Sequence, residues 1–180
     1  MPGERSLYCK IQVVLDYAKQ GNHTNLATLV NIIHTHVPVN FVHYWRDRTT
    51  DKVKYKCSED SIEETVDLCV DLGLLNKDNL KMSKRGLNAT DPRRYALILG
   101  ASAEELLAKY GITLSMIYSS IMTLLHGEHA TPPTVDEIWH HLNPAENRIK
   151  FNKFRQLMGL FGYCGVLRML QKRIYLPASI

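Results

Sequence analysis

Apolar positions recur along this chain with two different periods, and the places where the period changes mark its elements. Leu7, Ile11, Val14, Leu15 and Ala18 fall at helical spacing and stop at Gly21, which predicts a first helix. Thr24 or Asn25 can cap a second, whose stripe is Leu26, Leu29, Val30 and Ile33, ending before Pro38. Between Phe41 and Cys57 the pattern changes. Aromatic and β-branched residues flank a polar centre at 48–52, and Val53, Tyr55 and Cys57 alternate with Lys54 and Lys56. A period of two predicts a β-hairpin there, although Phe41–Arg48 also fits a continued helix.

The next stretch has a counterpart near the other end of the chain. Ser61–Leu75 carries a helical stripe, with Ser58 or Ser61 as cap and Ser61-x-x-Glu64 as capping box, and runs into the basic segment Asn76–Gly86. Phe151–Gly165 carries a second stripe and runs into Val166–Pro177. Both copies read as a helix, a β-type stretch, a polar turn and a second β-type stretch, with Lys77-Asp-Asn79 as the first turn. Gly86 closes the first domain on this reading. Between the copies, Thr90-Asp-Pro92 opens a helix that Gly100 interrupts and Ser102-Ala-Glu-Glu105 restarts, as far as Tyr110-Gly111. Thr113 opens a helix with Met116, Ile117, Ile121, Leu124 and Leu125 as its stripe. His126–Pro133 is a loop, Thr134-Val-Asp-Glu137 is a capping box for a short helix, and Asn143-Pro144 ends it.

The expected fold class is therefore mainly α with small β-hairpins, that is α+β. The expected domains are 1–89, with an inserted hairpin-like segment at 37–57, a helical connector at 90–111, and 112–180. Two units of this size suit a chain of 180 residues. Apolar residues make up 45% and charged residues 22%, the balance of an ordinary globular protein. No apolar run reaches the roughly 18 to 20 residues that span a bilayer, so no membrane partner is expected. Met1–Ser6 lacks the form of a signal peptide, and the four cysteines are scattered without a Cys-x-x-Cys pair. An intracellular setting, cytoplasm or nucleoid, is the default.

The net charge of +4 is small, but it is unevenly spread. From residue 146 onward, Arg148, Lys150, Lys153, Arg155, Arg168, Lys172 and Arg173 face the single carboxylate Glu146. If Phe151, Phe154, Leu157, Met158 and Phe161 are the buried stripe, the other face shows Asn152, Lys153, Arg155 and Gln156, with Arg148 and Lys150 just before it. Side chains of these types clamp phosphates and read base edges. Lys172 and Arg173 sit at or beside the following turn. The first copy is different. With Ile62, Val66 and Cys69 inward, its outward face shows Glu63, Glu64, Asp67 and Asp71, which phosphates repel. Its hairpin cations Lys77, Lys81, Lys84 and Arg85 are better suited to a nucleic-acid backbone.

The junctions Leu72-Gly-Leu-Leu75…Leu80-Lys-Met-Ser-Lys-Arg-Gly86 and Leu160-Phe-Gly-Tyr-Cys-Gly-Val-Leu…Ile174-Tyr-Leu-Pro177 resemble the helix-to-wing junction of winged helix-turn-helix domains. The likeness is to the superfamily and covers most of the chain, as a tandem pair joined by a helical connector. It implies duplex DNA as partner, with a third helix in the major groove and a wing on backbone or minor groove. A transcription regulator is one such role. It also leaves open a docking scaffold that meets a protein partner through the acidic helix, and the target-recognition part of a larger DNA-processing enzyme. The acidic third helix and the long 37–57 segment depart from the superfamily pattern.

Catalysis finds no foothold in these residues. Phosphate-loop, His-Glu-x-x-His and Gly-x-Ser-x-Gly motifs are absent. The groups His34, His36 and His43 with Cys57, and His126, His129, His140 and His141, lack structural-zinc spacing. The expectation is a non-enzymatic protein without cofactor or metal.

Overall fold

A computed structural model describes residues 2–36, 43–46, 53–56, 59–127, 131–142, 149–170 and 172–177. Eight helices and two small antiparallel hairpins occur among them, so the protein is mainly helical with little sheet. The chain divides into two compact units, Pro2–Tyr95 and Ala96–Ile180.

The first unit holds α1 (Pro2–Gln20), α2 (Leu26–His36), β1 (His43–Arg46), β2 (Val53–Lys56), α3 (Glu59–Asp71) and α4 (Lys84–Ala89). Its core is the meeting of three stripes. Ile11, Val14 and Leu15 of α1, Leu29 and Ile33 of α2, and Ile62, Val66 and Cys69 of α3 are all buried. Asn25 caps α2, its Oδ1 accepting from the Thr28 amide at 2.9 Å. β1 and β2 pair antiparallel, His43 opposite Lys56 and Arg46 opposite Val53. The alternation at 53–56 thus marks a strand, and 43–46 is strand rather than continued helix. The polar centre of that hairpin lies outside the described residues.

Three expectations for this unit give way. Because α3 begins at Glu59, Ser61 is inside the first turn and does not cap it; its Oγ instead accepts from Lys10 Nζ at 2.8 Å. Ser58 lies outside the described residues. The basic segment after α3 is not a regular hairpin, since the Leu75–Met82 bridge is its one pairing among the described residues. Lys84 and Arg85 belong to α4, which Ser83 caps by accepting from the Gly86 amide at 2.9 Å. Gly86 accordingly lies within a helix, and the first compact unit runs on to Tyr95 rather than closing at this glycine.

α5 (Pro92–Ala108) is one continuous helix, and Gly100 does not interrupt it. Burial of Leu99, Ala103, Leu106 and Leu107 outweighs the cost of about 1 kcal/mol that an interior glycine carries. The second unit continues with α6 (Leu114–Leu125), α7 (Val135–His141), α8 (Phe151–Tyr163), β3 (Arg168–Leu170) and β4 (Arg173–Tyr175). Thr113 caps α6 through the Met116 amide, and Thr134 forms the expected capping box with Glu137 on α7. Ile117, Ile121, Ile138, Phe154, Leu157 and Phe161 bring α6, α7 and α8 to one core.

α3 and α8 end alike. Gly73 and Gly165 take φ of +69° and +77°, and the next amide, Leu74 or Val166, donates to Cys69 O or Phe161 O at 2.9 Å. This is the glycine-terminated helix end in which the left-handed residue turns the chain back on itself. Each helix has 13 residues. The repeat in the sequence therefore corresponds to a repeat in backbone geometry as far as the residue after each glycine. Beyond it the copies differ: one isolated bridge follows α3, and a three-residue ladder follows α8.

Candidate nucleic-acid interface

α8 is set by its apolar side. Phe154, Leu157, Met158, Leu160 and Phe161 are buried, and Phe151 is half-buried with its ring against Trp139 at 5.3 Å. Five such side chains contribute about 1.5–3 kcal/mol each, well beyond the roughly 1 kcal/mol each that Gly159 and Gly162 cost the helix. The side turned away from the core follows from this. Asn152, Arg155, Gln156, Gly159 and Tyr163 stand at i, i+3, i+4, i+7 and i+11, one stripe along the helix. Asn152 and Arg155 are exposed and Gln156 is half-buried. Lys153 flanks the stripe, also half-buried, and makes an interaction of its own.

At the head of the helix Lys150 is the N-cap residue, exposed, and its side chain makes no capping bond. Arg148 lies outside the described residues. Tyr163 joins the stripe at its far end, 37% exposed, and was not among the residues picked out from the sequence. Its signal is the i+11 spacing from Asn152, hidden behind the glycines.

The β3–β4 hairpin closes the site. Arg168 pairs with Tyr175, Met169 with Ile174 and Leu170 with Arg173, and Lys172 sits just before β4 at the turn. Directly opposed residues share a face, so Ile174 and Met169 face inward, Ile174 fully buried. Met169 lies so close to Gly162 that any Cβ there would meet its Sδ at 2.6 Å, which sets the hairpin against the end of α8. Arg168 and Lys172 are exposed. Lys172 holds φ +67°, a conformation uncommon outside glycine. Arg173 is half-buried and its Nη1 donates to Pro132 O at 2.6 Å.

In the first unit the acidic residues occupy the outward face of α3. Glu63, Glu64 and Asp67 are exposed and Asp71 is half-buried with a partner of its own. Glu59, also exposed, sits 3.4 Å from His34 Nδ1. Lys81 and Lys84 are exposed, whereas Arg85 is half-buried beside Gly73 and engaged in an interaction. Lys81 precedes the bridge and Lys84 begins a helix, so these cations do not form a wing tip.

Thiol chemistry is disfavoured at both described cysteines with resolved shifts. Burial raises the Cys69 thiol far above its ordinary range, and burial pushes Cys164 up to about 11, against a smaller lowering from the Gly100 backbone. Neither is a thiolate nucleophile at neutral pH. Among the described residues no three His, Cys, Asp or Glu side chains converge as metal ligands. None of the described helices is long and apolar enough to cross a membrane. No protein-family model, curated protein or solved structure matches the chain.

Proposed function

We propose that the protein binds duplex nucleic acid, DNA above all, through α8 and the β3–β4 hairpin, and that it performs no catalysis itself. In this reading Ala96–Ile180 is a winged helix-turn-helix unit. α6, α7 and α8 are its three helices, Thr134 supplies a first strand position by bridging to Arg173, and β3–β4 is the wing. Pro2–Tyr95 is a second, reduced copy that keeps the helix end but lacks the ladder. Regulation of transcription is the biological role such a tandem serves best.

The observation that carries the reading is the composition of the outward side of α8. Asn152, Arg155 and Gln156 lie on one stripe, with Lys150 at its head and no carboxylate anywhere on the helix. In a major groove, Lys150, Lys153, Arg155 and Arg148 would neutralise phosphates or bond guanine, and Asn152 and Gln156 have the paired donor and acceptor that match adenine. Lys172 would reach the backbone from the wing. Lys81 and Lys84 are secondary contacts.

Replacing Lys150 and Arg155 together by alanine tests this most directly. Lys150 makes no capping bond and Arg155 is exposed, so thermal stability should be unchanged. Binding to a labelled duplex should weaken, with the slope of log K against log salt falling by up to about 1.8 for two lost phosphate contacts. An unaltered slope and affinity would take α8 out of the interface.

A second reading is favoured by the exposed carboxylates Glu63, Glu64 and Asp67: the first unit serves as a docking face for a basic protein partner. The two readings are compatible in one chain, because they use different units.

A further inference from the structure

The basic residue next to the wing tip is not placed like its neighbour. Lys172 is exposed at the turn, while Arg173, one step along, is half-buried with its guanidinium on the Pro132 carbonyl at 2.6 Å. One further link joins the same two segments: the Thr134 and Arg173 backbones form an antiparallel bridge, in which the Ile174 amide donates to Pro133 O at 2.8 Å. Ile174 itself is fully buried. The segment 132–134 leads directly into α7, where Thr134 is the cap residue. The start of β4 is therefore fastened to the entry of α7 by one side-chain bond and one backbone bridge, whereas β3 is held to α8 through Met169 at Gly162.

We infer that Arg173 is a positioning residue for the wing: it locks β4 to the entry of α7, so that Lys172 is held at a fixed place to meet a phosphate, and Arg173 itself makes no phosphate contact. The inference rests on the reading of β3–β4 as the wing of a nucleic-acid-binding unit. Its physical basis is preorganisation. A three-residue hairpin is marginal alone, and ordering it only upon binding would cost affinity. A guanidinium already hydrogen-bonded to a carbonyl has given up part of its freedom to reach outward. Lys172 fits the complementary role. A φ of +67° suits glycine, so a lysine there holds a charge beside the turn at some conformational expense.

The test is a double-mutant cycle on Lys172→Gly and Arg173→Met, the latter chosen because methionine keeps an apolar stem and deletes only the guanidinium. Binding to a labelled random-sequence DNA duplex is titrated over a salt series. Lys172→Gly should weaken binding about fivefold and lower the salt slope by about 0.9, one phosphate contact. Arg173→Met should weaken binding by a similar factor, and the double variant should be no worse than Lys172→Gly alone, because both act through the same contact. Multiplicative losses, with the slope falling by about 1.8 in the double variant, would show that Arg173 grips phosphate directly and would overturn the assignment.

Amide hydrogen exchange on the free chain reads the lock without any ligand. In Arg173→Met the Ile174 amide should exchange about tenfold faster while Leu157, buried in the middle of α8, is unchanged. Unchanged protection at Ile174, or protection lost equally throughout α8, would contradict a local lock. If the unaltered chain fails to bind any duplex, the nucleic-acid reading fails and the wing assignment with it. If it binds and the cycle is multiplicative, only the role of Arg173 falls.

Discussion

Gly86 shows how one residue settles a local structure. A Cβ at this position would stand 2.1 Å from the Leu74 carbonyl oxygen, backbone against backbone, with no flexible side chain to give way. The same carbonyl accepts from the Ser83 amide at 3.0 Å, and the Ser83 hydroxyl donates to Gly73 O at 2.7 Å. The start of α4 is thereby pressed onto the end of α3. Gly86→Ala should therefore destabilise the first unit by about 1–3 kcal/mol, although alanine is the better helix former. Urea denaturation followed by circular dichroism checks this; a gain in stability would mean that α4 does not pack on Leu74. The contrast with Lys172 is instructive. There a non-glycine residue occupies a left-handed turn position, and its charge gives a reason for it to be lysine.

Elements were legible where side-chain periodicity and burial agree. The stripes of α1, α2, α3 and α8, the alternation at 53–56 and the Thr134–Glu137 box all correspond to elements at those positions. The box has a measurable weight: Thr134→Ala removes the hydroxyl that accepts from the Glu137 amide and should cost about 1 kcal/mol, read as a lower urea midpoint. A midpoint unchanged within error would mean that the backbone bridge to Arg173, rather than the cap, fixes this turn. Periodicity failed where two signals shared few residues. Ser61-x-x-Glu64 matches a capping box, yet Ser61 lies inside a helix that begins two residues earlier and bonds Lys10. Ser83 was the true cap, but the cations after it resemble a wing when read without tertiary context. Gly100 looked like a break because the apolar residues burying that stretch of α5 are not visible as one face from spacing alone. The anchoring of Arg173 on Pro132 was beyond any sequence pattern, since it joins residues 41 apart.

At the scale of the molecule, two units with similar helix ends carry opposite surfaces. α3 turns carboxylates outward, and α8 turns amides and a guanidinium outward with cations at its head and on the following hairpin. This asymmetry reconciles a small net charge with a strong local one: the +4 of the whole chain understates the seven cations that follow residue 146. Binding driven by such a patch is electrostatic and salt-sensitive, because each neutralised phosphate releases a condensed counterion. On the proposed function the two units take different partners, nucleic acid at the second and a basic protein surface at the first. Reversing Glu63 and Asp67 to lysine should then leave duplex affinity intact or raise it. The central claim is most directly tested by fluorescence-anisotropy titration of a labelled duplex with the unaltered chain, from low to physiological salt. The account predicts submicromolar binding at low salt that weakens steeply, with a log–log slope of about −3.6 to −5.4 for roughly four to six phosphate contacts. Absence of binding even at low salt, or an affinity indifferent to salt, would contradict it and leave the basic side of α8 as a solvated surface.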